Sequence, residues 1–281
     1  MNNISKYLPD DFDNTAKVAV LAGKGVYPYL TVEKLRKANI QVRLIAFEDE
    51  TEQELINSFK KEDVETINVG QLGKLLKTLK KFDIKYAIMA GQITPKKLFK
   101  GLKLDLKAML VMATLKRKNA ESIFGAIADQ LAKIDIEMLD ARSFLDDCIA
   151  ERGFIVGNKW AISDDYLKHS MSIAREIARL DIGQSCITSR GSVLAVEAWE
   201  GTDKMIERAG TFEAKDMLFA KTVKPNQDYR FDVPVIGERT IRKLASSGVE
   251  NVAVEAGNVI ILEKAKVLKL ANENNIKIFG V

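Results

Sequence analysis

Two cysteines and one histidine are all that this chain of 281 residues offers of the side chains that build zinc, haem and iron–sulfur sites. Cys148 and Cys186 sit in apolar or helical contexts with no short ligand spacing. That excludes a disulfide framework or a zinc site and fits a reducing compartment. With His169 alone, a multi-histidine metal site is excluded, and a Ser-His-Asp triad would have to run through that residue. It stands in D-D-Y-L-K-H-S-M-S-I-A-R-E-I-A, where the spacing makes it an exposed or packed helix residue. Any metal is therefore expected to be oxygen-bound. No run approaches the roughly 18 apolar residues of a membrane span, and the first residues, M-N-N-I-S-K-Y-L-P-D-D-F-D, lack the basic and apolar blocks of a secretory signal. The expectation is a soluble, cytoplasmic protein.

With 47% hydrophobic and 29% charged residues, the chain can bury sizeable cores, and its length favours two domains over one. A net charge of +4 suits an anionic partner: a phosphorylated metabolite, a lipid head group or a nucleic acid. Aromatics at 7%, not interleaved with basic residues, give no stacking platform and argue against nucleic acid. Residues 96–118 mix lysines and arginine with leucines, methionines and Phe99. That pattern fits a helix wetted on one side and buried on the other, and it also fits one lying on a bilayer surface.

The first third alternates apolar runs with helical patterns. Strands are expected at 17–22, 41–47, 64–69 and 86–90, and helices near 28–38, 51–60 and 71–81. This βαβ rhythm implies a parallel, Rossmann-like sheet over residues 1–135. A connection is expected over 136–160 and a second α/β domain over 161–281. Within that domain a helix is expected at 163–180, two strands joined at 190–192, and a helix at 203–209 with Thr202 as its N-cap. After the first strand, A-G-K-G-V-Y-P places Gly23 and Gly25 in a tight turn before a helix, a plausible anion seat. It meets neither the dinucleotide fingerprint nor the P-loop, so no nicotinamide or flavin is expected.

The most chemical segment is 221–232, K-T-V-K-P-N-Q-D-Y-R-F-D, with Pro225 and Pro234 holding it out of a regular helix. Basic side chains can orient phosphoryl oxygens, and carboxylates can hold magnesium or direct a water. Run extended, 228–232 would put Asp228, Arg230 and Asp232 on one face. At roughly 3.3 Å per residue the two aspartate Cα atoms would then lie about 13 Å apart, too far to share one ion, so that either one carboxylate does the chemistry or the loop bends. Asp228 is the favoured catalytic group and Asp232 the second choice, more suited to bracing Arg230.

Several strings resemble the LpxI-type UDP-2,3-diacylglucosamine pyrophosphatases of lipid A and lipopolysaccharide biosynthesis. They are L-D-I-G-Q (180–184), V-L-A-V-E-A-W-E-G-T-D (193–203), K-P-N-Q-D-Y-R-F-D-V-P-V-I-G (224–237) and V-E-A-G (254–257), in the same order along the chain. Weaker ones are A-G-K-G-V-Y-P, V-G-Q-L-G-K (69–74) and M-A-G-Q-I (89–93). The resemblance implies an α/β fold of two domains with a cleft between them. It implies a hydrolase that uses magnesium or a similar ion to direct water at the α-phosphorus, releasing UMP and 2,3-diacylglucosamine 1-phosphate. On it Asp228 is catalytic and the metal ligand, with Asp232 second. Lys224, Gln227 and Arg230 bind the pyrophosphate, and Gln184, Glu200, Gly201, Thr202, Asp203, Gly23, Gly25 and Gly91 line the substrate. The expected partners are the lipid substrate, the cytoplasmic face of the inner membrane in passing, and a second copy in a homodimer. The Gly-Asp-Asp/Asn stretch that family members often carry is replaced here by K-N-A-E-S, leaving Asn119 and Glu121 as its polar residues. A non-catalytic phospholipid- or nucleotide-binding protein is the alternative.

Overall fold

The computed structural model describes residues 4–93, 104–117 and 119–281. Residues 96–103 and Lys118 of the basic stretch 96–118, Phe99 included, thus lie outside the described residues. The chain divides into two compact units, Met1–Asp146 with Asp228–Asp232, and Asp147–Gln227 with Val233–Val281.

In the first unit, β1 (Lys17–Ala22), β2 (Val42–Phe47), β3 (Val64–Ile67), β4 (Ile84–Ala90) and β5 (Glu137–Met138) form one sheet, ordered β3-β2-β1-β4-β5. Every pairing is parallel. A parallel sheet is covered on both faces, so its central strand is apolar at successive positions rather than alternating. Val18, Ala19, Val20, Leu21 and Ala22 are accordingly all buried. The described helices of the unit are α1 (Val26–Lys37), α2 (Gln53–Asn57), α3 (Leu72–Lys81), α4 (Leu106–Thr114) and α5 (Ala120–Ala132). The expected βαβ rhythm and α/β class are present, although the helix expected over 51–60 is the shorter α2. Asp105 opens α4 by accepting from the Ala108 amide at 2.8 Å, and Asn119 opens α5 by accepting from the Ser122 amide at 3.0 Å. Asn119 is therefore an N-cap.

The strand order reverses between β1 and β4, the place where sheets of this kind leave a crevice for a ligand. Here the backbone closes on itself. The Gly23 amide donates to the Ala90 carbonyl at 2.8 Å, and Lys24 and Gln92 exchange both amide–carbonyl bonds at 2.8 and 3.1 Å. A Cβ on Gly23 would lie 2.6 Å from the Gln92 carbonyl oxygen. One on Gly91, whose φ is +89°, would lie 2.6 Å from that of Lys24. Both glycines permit backbone to lie on backbone. Gly25, at φ +91° with open space around it, is the residue that turns the chain into α1.

In the second unit, β6 (Gly153–Val156), β7 (Ser185–Ser189), β8 (Ser192–Val196), β9 (Met217–Lys221), β11 (Asn251–Val254) and β13 (Lys277–Gly280) form a mixed sheet ordered β6-β13-β11-β9-β7-β8. A small parallel pair, β10 (Val235–Ile236) and β12 (Ile260–Ile261), stands apart from it. The helices are α6 (Asp164–Arg179), α7 (Thr202–Gly210), α8 (Glu238–Ser246) and α9 (Lys264–Glu273). Strand alternation sorts the core into two layers. Met217 and Phe219 of β9 pack with Met205, Ile241 and Val267 from α7, α8 and α9, whereas Leu218 and Ala220 pack with Met171 and Ala174 of α6. β7 and β8 form the expected hairpin, turned by Arg190 (φ +48°) and Gly191 (φ +90°). Cys148 and Cys186 form no disulfide and are both buried, and burial pushes the Cys186 thiol up to about 12, leaving it unreactive. His169 lies exposed on α6, its Nε2 3.0 Å from the Gly191 carbonyl.

Candidate functional site

The four longer strings that carry the resemblance meet at one end of the second unit's sheet, at the carboxyl ends of β8, β9 and β11 and the entry to β7. Ligands of α/β sheets gather at such ends. Glu197, one residue past β8, is the hub. Its Oε2 accepts from the Ser185 hydroxyl at 2.6 Å and the Gln184 amide at 3.3 Å, and its Oε1 accepts from the Thr202 hydroxyl at 2.6 Å. Burial pushes its carboxyl up, but buried Lys221 and these three donors together outweigh that and hold it below its ordinary value. Gly183 lets this happen, since a Cβ there would come within 2.2 Å of the Glu197 carbonyl oxygen. Thr202 is consequently not the N-cap expected of it. Gly201, at φ +79°, takes that position, and the Thr202 hydroxyl is spent on Glu197.

Past β9, the Thr222 amide donates to the Gln184 carbonyl at 2.9 Å. The Gln227 side-chain oxygen then accepts from the Lys224 amide at 2.9 Å and from the Gln184 side-chain amide at 3.1 Å. Lys224 reaches Asp181 at 2.5 Å. Gln184, Lys224 and Gln227 are thus brought together, as the sequence led one to expect. Glu200 and Asp203 point elsewhere, into ion pairs with Arg208 and Arg239, each at 2.8 Å.

Asp228–Asp232 belongs to the first unit and is not extended. The amides of Phe231 and Asp232 both donate to the Asp228 carbonyl, at 3.3 and 3.0 Å, so the segment coils into a single turn. Of the two possibilities the sequence left, an extended run with three charged side chains on one face or a bent loop, the loop bends, because two backbone hydrogen bonds close the turn. The bracing is also reversed. Asp228, not Asp232, holds Arg230: the Arg230 Nε lies 2.9 Å from Asp228 Oδ1 and its Nη2 2.7 Å from Oδ2. The Arg230 hydrogen bonds, ahead of all else, hold the Asp228 carboxyl below the usual carboxylate range. The turn presents an ionised, partly exposed carboxylate and, beside it, a guanidinium with 42% of its side chain in solvent.

Among the described residues no three His, Cys, Asp or Glu side chains cluster as a metal cage would require. Asp228 is a hard, ionised oxygen donor and suits magnesium chemically, but both its oxygens already accept from Arg230. The donor set therefore fits a magnesium carried mainly by phosphate oxygens and water, with one protein carboxylate, and does not fit an ion caged by protein alone. Sequence reasoning passed over Asp140, Arg142 and Tyr229. The signal was a repeated D-x-R, D-A-R at 140–142 and D-Y-R at 228–230.

Two family models match the chain, the LpxI N-terminal domain over residues 17–148 and the LpxI C-terminal domain over 153–279. A relative named UDP-2,3-diacylglucosamine pyrophosphatase LpxI, from Caulobacter vibrioides, is 28% identical over 94% of this chain and 97% of its own length. Among solved structures, the N5-carboxyaminoimidazole synthase of Aspergillus clavatus overlaps 70% of this chain and 43% of that chain at 15% identity. Its TM-score of 0.24 is too low for it to speak to fold or chemistry.

Proposed function

The chain belongs to the LpxI family, and from that premise we propose that it hydrolyses UDP-2,3-diacylglucosamine to UMP and 2,3-diacylglucosamine 1-phosphate. A water oxygen bonds to the α-phosphorus, the bond from that phosphorus to the bridging oxygen breaks, and the water's proton is lost to solvent. The observation that carries this reading is the Asp228–Arg230 fork, an ionised acid and a partly exposed guanidinium two positions apart in one turn, directly after K-P-N-Q.

In this reading Asp228 orients the attacking water, and Arg230 meets the negative charge that develops on the phosphoryl oxygens. Lys224 supplies a second cation, and the Gln184 and Gln227 amides fix the loop from which it projects. Thr202 contributes a backbone N–H at the start of α7, and Gly201, at φ +79° with its own amide on the Ala198 carbonyl, shapes the approach to it. Glu200 and Asp203, being anionic, suit sugar hydroxyls rather than phosphate. Gly25 shapes the entry to α1, and Gly23 and Gly91 act through backbone shape alone. Asp232 stays the second candidate for the acid. Magnesium, when bound, would neutralise part of the diphosphate charge, with Asp228 as its protein ligand. The test is hydrolysis in water enriched in oxygen-18: attack at the α-phosphorus puts the label in UMP, and adding EDTA abolishes turnover. Label in the lipid phosphate would overturn the site of attack. Tight binding of the substrate with no product at all would favour the non-catalytic alternative.

Among the described residues no helix is long and apolar enough to cross a membrane. Helix α4 nonetheless exposes Leu106, Met109 and Leu110, with Lys107 on the same helix and Lys116 and Arg117 just beyond it. Contact with the anionic inner surface of the inner membrane is the proposed way of meeting a diacylated substrate, which makes the protein cytoplasmic and peripheral. Sedimentation with phosphatidylglycerol vesicles should fall severalfold in L106D/L110D and be unaltered in a Leu→Asp variant at the exposed Leu180. Equal loss in both would remove α4 from this role.

A further inference from the structure

The two D-x-R turns of the first unit have the same construction. In each, the arginine amide donates to the aspartate Oδ1, at 2.8 Å for Arg142 and 3.1 Å for Arg230. In each, Nε donates to Oδ1, at 3.0 and 2.9 Å, and Nη2 donates to Oδ2, at 2.6 and 2.7 Å. The turns are joined middle to middle, the Ala141 amide donating to the Tyr229 carbonyl at 2.8 Å. They differ in exposure. The Arg230 side chain is 42% exposed and that of Arg142 only 12%.

What covers Arg142 is aromatic. Its guanidinium carbon lies 3.5 Å from the centre of the Tyr229 ring and 4.3 Å from that of Tyr7, while Asp140 takes the fork. Tyr7 is itself held, since its carbonyl accepts from the Ser143 hydroxyl at 3.1 Å and Ser5 Oγ accepts from the Phe144 amide at 3.1 Å. On the other side of Arg230, Phe231 lies 6.0 Å from Phe124 of α5, centre to centre. Both neighbours of Arg230 are therefore anchored to the body of the first unit. A planar guanidinium can fork a carboxylate by its edge while stacking on rings by its face, which an ammonium cannot.

We infer that Arg142, forked on Asp140 and stacked on Tyr229, is a positioning residue that fixes the Asp228–Arg230 turn. The inference rests on the reading that this turn carries the chemistry. Arg142 does not meet substrate itself. It acts by holding the one residue that separates the acid from the exposed guanidinium, and a misplacement of about 1 Å at such a site is worth up to about 10²-fold in rate.

The experiment is steady-state hydrolysis of UDP-2,3-diacylglucosamine by R142A, R142K, Y229L, Y229F and the double variant R142A/Y229L, with thermal unfolding of each and D228N as reference. R142A and Y229L are each expected to lower kcat by about 10- to 100-fold with KM little changed. R142K, which keeps the charge and loses the fork and the stack, should behave like R142A, and Y229F, which keeps the ring, should recover most of the rate lost in Y229L. Because both act through one contact, the double variant should be no worse than the poorer single one. Multiplicative losses, or full kcat in the folded fraction of R142A, would overturn the inference. If R142A does not fold, Y229L against Y229F decides it, since that pair leaves the Arg142–Asp140 fork in place: equal rates overturn the inference. An undiminished rate in D228N would instead bring down the underlying reading.

Discussion

D228A is expected to lower kcat for UMP release by about 10²- to 10⁴-fold, the range in which a positioned acid–base group or an electrostatic stabiliser contributes. Two losses combine in it. The acid disappears, and Arg230 loses the fork that aims it, with contacts of 2.9 and 2.7 Å. The segment should keep its turn, because two amides close it on the Asp228 carbonyl and only the Arg230 amide, at 3.1 Å, closes it on the side chain. A circular dichroism spectrum and unfolding midpoint close to the parent's, with turnover gone, is the result foreseen. Parent-like turnover in a folded D228A would transfer the acid's role to Asp232. The pH profile adds a second reading. Arg230 holds the Asp228 carboxyl below its ordinary value of 3.8, so acid inactivation through this group should begin only below that value in the parent. Without the fork, in R230Q, the acid limb should move upward.

E197A carries the largest expected effect on stability, about 2–4 kcal/mol in urea unfolding. A buried donor left without its acceptor costs about 1–3 kcal/mol, and Glu197, itself half-buried, serves three. The substitution deprives the Ser185 hydroxyl, the Thr202 hydroxyl and the Gln184 amide of their acceptor and removes a negative charge that acts through space on buried Lys221. The sign with pH follows from the depressed value of the carboxyl. A group whose folded pKa lies below its unfolded one stabilises the fold above the unfolded value, near 4.5. That contribution fades as the pH falls through the folded value, so the parent should lose stability in acid and E197A should lose less. A stability difference under about 0.5 kcal/mol at neutral pH would show that the three donors find other partners.

Much of the architecture was legible in the sequence because parallel strands and their helices leave strong periodicities. K-V-A-V-L-A could only be a doubly covered strand, and Arg190-Gly191 between two apolar runs could only be a hairpin turn. The membership itself was legible in four ordered strings, and the two family models bear it out. What alternation could not show was the turn at 228–232, where two hydrogen bonds to one carbonyl defeat the period-two pattern of D-Y-R-F-D. Nor could it show that Thr202 would give up helix capping to serve Glu197, since the distance between β8 and β7 is set by Gly183, ten or more positions away. Arg142 was missed because the repeated D-x-R, its one signal, is too short to stand out until Tyr229 is seen to lie over it.

The division of the chain has a consequence for its biosynthesis. Tyr229 and Phe231 are parts of the first unit, yet the ribosome makes them only after Asp147–Gln227, some eighty residues of the second, has been produced. At roughly 5–20 residues per second, the nascent first unit waits about 4–16 s with Arg142 and Phe124 still lacking the rings they will contact. Its last turn is therefore a late addition, and the acid and guanidinium that the turn carries are assembled only once most of the polypeptide already exists.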